Sequence, residues 1–473
     1  MDFNKIINAA MNAFKQKVTD LYQNSDTAMD TLDEKSFALM TSALLEAARA
    51  AGQTGLVEFL KQHDTIDSHI NENGKRYRYK GLSPNELLTL FGTITVDRAM
   101  YYNEQDGGSY LFPLDRAIGM DKDDFATLET REMILFASAS CVPQELADLL
   151  KKCSLCNPSR TAIQNIINKD GEAMEAFRDV IAQNVLKERP VPSTTQAIVA
   201  SLDGANVLLR EPGEKKGRKN RRPGGETKST LSPTSYHNAM VGAVSFYGTD
   251  TENKPQRLSS LYTARMPQEK ATDFKDDFER MIKITEQTVG EKSVHKILLT
   301  DGHLMIKGFA KKSKLLQSYE KLLDFYHTTE HLAKAADVMY GEKTERSKWW
   351  YTKWREALKI DDKAPRAILL SIKNFRTRHT LSAKRSEELK TQITFFRKNQ
   401  RLMNYARFIV RGLPIGSGPI EAAAKTIVKQ RMCRSGMRWS REKGQYVLTI
   451  KAYVQSGVWD KAWNHYTQLK KAA

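Results

Sequence analysis

The sequence predicts an α/β protein in which a mixed sheet is interrupted by an all-helical insertion and preceded by helical and small β regions. Three observations predict it. Between residues 197 and 300, four apolar, β-branched runs are separated by turns and one amphipathic helix. Two of those runs lead into the same dipeptide, Asp-Gly, at Asp203 and at Asp301. After a further apolar run ending at Asp324, residues 331–412 hold one long helical stretch rich in Lys, Arg and aromatic side chains.

Composition sets the bounds. With 473 residues, 40% of them hydrophobic, the chain can bury a full core and is expected to form several domains. Lys and Arg total 74 against 56 Asp and Glu, a net charge of +18. That balance favours a polyanionic partner, because each neutralised phosphate releases counterions; a merely soluble basic protein has the same charge. Four cysteines in so long a chain argue for a reducing compartment without a disulfide framework. Cys153 and Cys156 have CxxC spacing, but no histidines cluster near them, so a structural zinc site is not expected. No stretch is long and apolar enough for a membrane span, and the N-terminus lacks a leader pattern. The expected place is the cytoplasm, associated with the nucleoid.

The elements follow in order. Residues 1–70 carry helical periodicity, as in Phe3, Ile6, Ile7, Ala10 and Phe14. Residues 71–115 change to alternating and β-branched patterns, with Ile94 to Tyr102 the clearest strand, and predict a small antiparallel sheet with a loop over 103–109. Residues 116–190 are helical again. Within them, Val142–Lys152 and Pro158–Asn168 are two short helices, the second started by Asn157 as cap and Pro158 as first residue. The turn between them makes a candidate helix-turn-helix with Ser159, Arg160, Gln164 and Asn165 facing a DNA groove. An ordinary packed helix pair has the same signature.

From 191 to 330 the order is β-β-β-α-β-α-β-α. Ala197–Leu202 and Val207–Leu209 form one interrupted strand region, Met240–Tyr247 a second, Arg257–Ala264 a third, Glu269–Val289 a helix and Lys296–Thr300 a fourth strand. This order matches the RNase H-like arrangement, which brings carboxylates together at the adjacent ends of its first and fourth strands. The fold resumes at 413–473, after the 331–412 insertion.

Carboxylates at strand ends suit a hard divalent cation, which takes oxygen ligands and keeps several of its waters. Two magnesium ions, with manganese able to take their place, can activate an attacking oxygen and stabilise a leaving one in phosphodiester chemistry. Asp203 and Asp301 are candidates, although an Asp-Gly pair also closes turns. Glu421 follows Gly416-Ser-Gly-Pro419 in a helical first turn, where the helix dipole alone would favour it. Lys425 and Lys429 recur four and eight residues later and would share its face, and Arg431, Arg434 and Arg438 extend the basic surface. Asp324 and His327 sit three apart at a strand-to-helix junction; His331 is the competing imidazole, and a plain helix-capping Asp is the structural alternative. The run Arg210 to Arg222 leaves the Asp203 strand, so Lys215, Lys216, Arg218, Lys219, Arg221 and Arg222 are placed to grip phosphates, or form a solvated tether.

At these residues the chain resembles a DDE-type insertion-sequence transposase of the ISKra family, within the Mutator-like group. Leu202-Asp-Gly204, Leu323-Asp-Phe-Tyr-His-Thr-Thr-Glu-His-Leu332, Gly416-Ser-Gly-Pro-Ile-Glu-Ala-Ala-Ala-Lys425 and Arg434-Ser-Gly-Met-Arg-Trp-Ser440 carry the resemblance, with Phe112-Pro-Leu-Asp115 as an earlier landmark. It implies Asp203, Asp301 and Glu421 as a metal-binding triad, Asp203 bridging both ions, with Asp324 and His327 as an accessory pair. It implies a homo-oligomer acting on double-stranded DNA, cleaving at terminal inverted repeats and joining 3′-OH ends to a target. The alternative from another class is a non-catalytic DNA-binding regulator derived from such a fold.

Overall fold

The structure is a computed structural model that describes residues 1–23, 32–103, 108–121, 124–153, 156–210 and 236–472. The chain divides into two compact units, one of Met1–Asp170 with Lys471–Ala473 and one of Gly171–Lys470.

The first unit opens with α1 (Phe3–Gln23) and α2 (Glu34–His63). A reciprocal cap starts α2: Ser36 N–H donates to Asp33 Oδ1 at 2.7 Å, and Asp33 N–H donates to Ser36 Oγ at 2.9 Å. Strands β1 (His69–Glu72), β2 (Lys75–Thr89), β3 (Gly92–Asn103) and β4 (Ser109–Leu111) form an antiparallel meander in that order. In β3 the buried side changes along the strand: Ile94 and Val96 join one apolar cluster, Ala99 and Tyr101 another. Short α3 (Pro113–Ala117) is followed by α4 (Leu128–Ser138), α5 (Pro143–Lys152) and α6 (Arg160–Ala176). Buried Arg131 on α4 donates to Asp170 on α6 (Nε to Oδ2, 2.9 Å) and to Asp124 (Nη1 to Oδ2, 3.2 Å), and Lys169 donates to Asp124 at 2.7 Å. Each buried charge is thereby paired, as burial requires.

Two boundaries differ from expectation here. Helix α6 begins at Arg160 and not at Pro158, because Ser159 Oγ takes the capping hydrogen bond from Ala162 N–H at 3.1 Å. It also runs to Ala176, well past the expected end at Asn168. Residues 154–155 of the proposed turn lie outside the described residues.

The second unit begins within α6 and continues through α7 (Arg178–Lys187) to five strands: β5 (Ala197–Leu208), β6 (Tyr236–Thr249), β7 (Pro255–Arg265), β8 (His295–Thr300) and β9 (Glu320–Leu323). Their order across the mixed sheet is β7-β6-β5-β8-β9; β5–β6 and β6–β7 are antiparallel, β5–β8 and β8–β9 parallel. Between strands lie α8 (Thr272–Val289), α9 (Leu304–Lys312) and α10 (Lys314–Gln317). The predicted helix start at Glu269 is instead a 3₁₀ turn with Lys270 and Ala271 in left-handed conformations.

Strand β5 organises the unit. Its even positions Ile198, Ala200 and Leu202 face a cluster with Phe274 and Phe278 of α8. Its odd positions divide. Ala197 and Val199 join the helices α11 (Phe325–Tyr340), α12 (Glu345–Ile360), α13 (Ala364–Arg378), α14 (Ala383–Asn399) and α15 (Tyr405–Val410). Ala205 and Val207 pack against Ile420, Ala423, Ile427 and Val428, residues of α16 (Gly418–Ala423) and of the π-helical turn Ala424–Lys429. After that turn come α17 (Gln430–Met432), α18 (Arg441–Gln455) and α19 (Trp459–Ala472).

Sheet and α8 meet closely at Gly242 on β6, where a Cβ would fall 2.5 Å from Phe278 Cδ2 and 3.2 Å from Phe274 Cζ. Gly242→Val should therefore destabilise the fold by about 1–3 kcal/mol through overpacking. Adding Phe278→Leu should recover part of that loss in denaturant melts; two independent, additive losses would disprove the close approach.

Candidate active site

Asp203 was expected at a strand end; the structure places it inside β5, which is continuous through Leu208 because β6 pairs along its whole length. What ends near Asp203 is the parallel partner. Pairing of β5 with β8 runs from Ala197 opposite His295 to Ser201 opposite Leu299, a constant difference of 98 in residue number. The same register puts Asp203 level with Asp301, just beyond the end of β8. Partners in β8 and β9 differ by 23, from Ile297 opposite Glu320 to Thr300 opposite Leu323, which puts Asp324 level with Asp301. Three carboxylates thus stand in one row, Asp203 within β5 and Asp301 and Asp324 just beyond the C-terminal ends of β8 and β9, the usual place for a site in such sheets. As an odd-numbered residue of β5, Asp203 also falls between the two apolar clusters on its face of the sheet.

Each carboxylate has a distinct environment. Half-buried Asp203 accepts from Gly204 N–H at 2.7 Å. Burial pushes its carboxyl above the usual range; the Gly204 bond opposes this, Asp301 adds repulsion, and Lys429 and His327 are near enough to favour its charge. Asp301 accepts from His303 N–H at 2.8 Å. Glu421, in the first turn of α16, accepts from Ser417 Oγ at 3.1 Å. Burial raises its carboxyl too, and Asp324 and Asp203 repel it. Hence Asp203 lies within the field of Asp301, and Glu421 within those of Asp324 and Asp203. None of Asp203, Asp301 and Glu421 has an ion-pair partner within bonding distance among the described residues.

Asp324 does different work. It is fully buried, and both its oxygens are used: Oδ1 accepts from His327 N–H at 2.6 Å, and Oδ2 accepts from Ser417 N–H. The first bond caps α11; the second fixes the turn that opens α16. The helix-capping alternative therefore describes Asp324, with the addition that the capping residue also positions Glu421. His327 has its ring 5.0 Å from that of His331 and lies 3.9 Å from Glu330. His331 is held away from this role, stacked on Phe395 at 3.6 Å and bonded to Gln392 at 2.7 Å. Burial pulls the His331 ring below the usual histidine value.

The basic candidates divide as well. Lys425, Lys429, Arg434 and Arg438 are exposed. The helix bearing Lys425 and Lys429 widens into the π-turn, a feature frequent at functional sites. Arg431 does not belong to that surface: it is 2% exposed and lies over the Trp439 ring at 5.2 Å. Arg160 and Asn165 are exposed on α6, while half-buried Gln164 donates to Asn168 at 3.0 Å. Lys215, Lys216, Arg218, Lys219, Arg221 and Arg222 lie outside the described residues. One residue that sequence reasoning missed is Lys307, on the helix after Asp301, whose ammonium feels the Asp301 charge; a lone Lys in a helical pattern gives no signal.

Oxygen donors without cation partners are the chemistry a hard divalent ion takes. Among the described residues, however, no three His, Cys, Asp or Glu side chains are gathered closely enough to hold an ion. Four free cysteines are present, and no described helix is long and apolar enough to cross a membrane.

A family model described as an uncharacterised protein family (UPF0236) matches residues 34–189, a stretch that ends before Asp203. No curated protein matches. Among solved structures the chain is similar to the Drosophila P element transposase strand transfer complex, at 11% identity, covering 75% of this chain and 84% of that one, with a TM-score of 0.26. So slight a likeness carries no argument about fold or chemistry.

A carboxyl whose folded-state pKa lies above its unfolded one favours the fold at low pH, and that contribution is lost as pH rises through the folded value. At neutral pH the ionised Asp203 is thus a burden on the fold. Asp203→Asn should raise the melting temperature at neutral pH, with the gain shrinking as pH falls through the folded-state value of this carboxyl. An unchanged or lowered melting temperature at neutral pH would show that this carboxylate is not desolvated.

Proposed function

We propose that the second unit is an RNase H-like catalytic domain and that the protein is a DDE-type transposase of an insertion sequence. The observation that carries this reading is the row of Asp203, on β5, level with Asp301, just beyond the parallel β8, with Glu421 on α16 within the field of Asp203. In this reading Asp203, Asp301 and Glu421 would hold two magnesium ions. Bound there, such ions would activate an attacking oxygen and stabilise a leaving one at a phosphodiester.

The chain's own residues supply the rest. Asp324 keeps α16 docked, so that Glu421 stays opposite Asp203. His327 stands near Asp203 and is placed to touch a phosphate oxygen. Lys425 and Lys429 present cations on the side of Glu421, where a DNA strand would meet them. Arg160, Gln164 and Asn165 are proposed to read the terminal repeats of the element, which a homo-oligomer would hold before joining 3′-OH ends to a target. A second reading, a non-catalytic DNA-binding regulator, draws on one observation: the acidic side chains are not gathered into a ready-made ion site.

Nicking and strand transfer on duplexes carrying the element's ends, with magnesium, separate the two. Asp203→Asn, Asp301→Asn and Glu421→Gln should each abolish cleavage while leaving DNA binding within about twofold, since they remove ion ligands and not phosphate contacts. Cleavage retained by any of the three would remove that residue from the triad. Binding without any cleavage by the wild-type chain would establish the regulator.

A further inference from the structure

One cluster of cations next to Asp301 is not absorbed by the reading above. Lys307, on α9, is half-buried and donates from Nζ to Oδ1 of Asn399, the last residue of α14. Asn399 is itself buried, 5% exposed. Exposed Lys398 is near enough to disfavour the Lys307 charge, and Asp301 near enough to favour it. Burial is the largest influence and holds the ammonium below the usual lysine value. Among the described residues, neither lysine has a carboxylate within ion-pair distance.

This is not how a lysine is buried for stability. A half-buried cation normally faces a carboxylate. Here the bonded partner is a neutral amide, which orients the ammonium without cancelling its charge, and its other near neighbours are the Lys398 cation and the Asp301 carboxylate, the latter beyond ion-pair distance. The backbone is shaped to permit the approach. Gly302 has φ of +82°, a conformation that L side chains rarely adopt, and a Cβ there would fall 2.7 Å from Leu323 Cδ1 and 3.5 Å from Asn399 Oδ1. The end of α14 therefore sits against the turn that carries Asp301. Two neighbouring ammonium groups with no carboxylate within ion-pair distance among the described residues, one of them fixed in direction, suit an anion with several oxygens, and the nearest chemistry is that of Asp301.

We propose that Lys307 and Lys398 form a phosphate clamp for the DNA strand passing on the Asp301 side of the site, with Asn399 as the positioning residue. The clamp rests on the transposase reading for its partner, and it gives the helical insertion a part in binding substrate. Lys307 then fixes one backbone phosphate by direct contact, and Lys398 shares it or takes the next.

The test uses the full-length protein and a short fluorescein-labelled duplex of random sequence, with affinity measured over a series of salt concentrations. Lys307→Met and Lys398→Met should each lower the salt slope by up to about 0.9, and the double variant by roughly twice that. Lys307→Arg should restore the slope. Asn399→Leu should weaken binding with both lysines intact, a change that a purely structural lysine would not transmit. Unchanged slopes in both single variants would overturn the clamp. Should Lys307→Met fail to fold, exposed Lys398 provides the same readout. Magnesium-dependent nicking by the wild-type chain is followed in parallel. Nicking with unchanged slopes overturns the clamp alone, and reduced slopes without nicking support the clamp while removing the enzymatic reading.

Discussion

The register of three parallel strands is the constraint on which the rest of the second unit depends. Constant pairing differences of 98 between β5 and β8 and of 23 between β8 and β9 put Asp203, Asp301 and Asp324 in one row. A slip of one residue would turn Asp203 to the opposite face and break the division of β5 between its apolar clusters. From the row, Asp324 transmits position outward: its carboxylate joins α11 to the Ser417 amide, and Ser417 both opens α16 and donates to Glu421. Glu421 is thus placed both by hydrogen bonds from a residue 97 positions earlier in the chain and by the packing of Ile420 and Ala423 on β5.

This arrangement works against stability. Burial and mutual repulsion raise the carboxyls of Asp203 and Glu421, whereas the buried charges of the first unit, Arg131, Asp124 and Asp170, are fully paired. The buried charges of the first unit are thus paired, while half-buried Asp203 and exposed Glu421 are not. The paired network ties α4 to α6 and is explained by the fold. The unpaired carboxylates are held in place by apolar packing on either side of Asp203, which is the pattern expected where function sets the charges.

Much of this was legible in the sequence. The recurrence of Asp-Gly 98 residues apart is the strand register itself, written into the spacing, and the helices over 331–412 announced themselves by length and periodicity. What was not legible came from partners distant in sequence. The apolar gap at Asp203 to Asn206 looked like a strand break, because nothing local shows that β6 pairs across it. Arg431 counted as one more surface cation until Trp439 was seen beneath it. Asp324 looked like a site residue or a cap, and only the Ser417 bond shows that capping and site geometry are one function. Lys307 carried no motif at all; its meaning depends on Asn399, 92 residues away.

The central claim is that these carboxylates form a divalent-cation site. It is tested most directly by titrating the full-length protein with manganese and following the melting temperature together with water-proton relaxation. An ion that binds the folded chain alone stabilises it in proportion to the logarithm of its concentration above the dissociation constant. The account predicts a saturable rise in melting temperature with matching relaxation enhancement, both lost in an Asp203→Asn, Asp301→Asn double variant. Equal responses from the wild-type and double-variant proteins, or none from either, would contradict it.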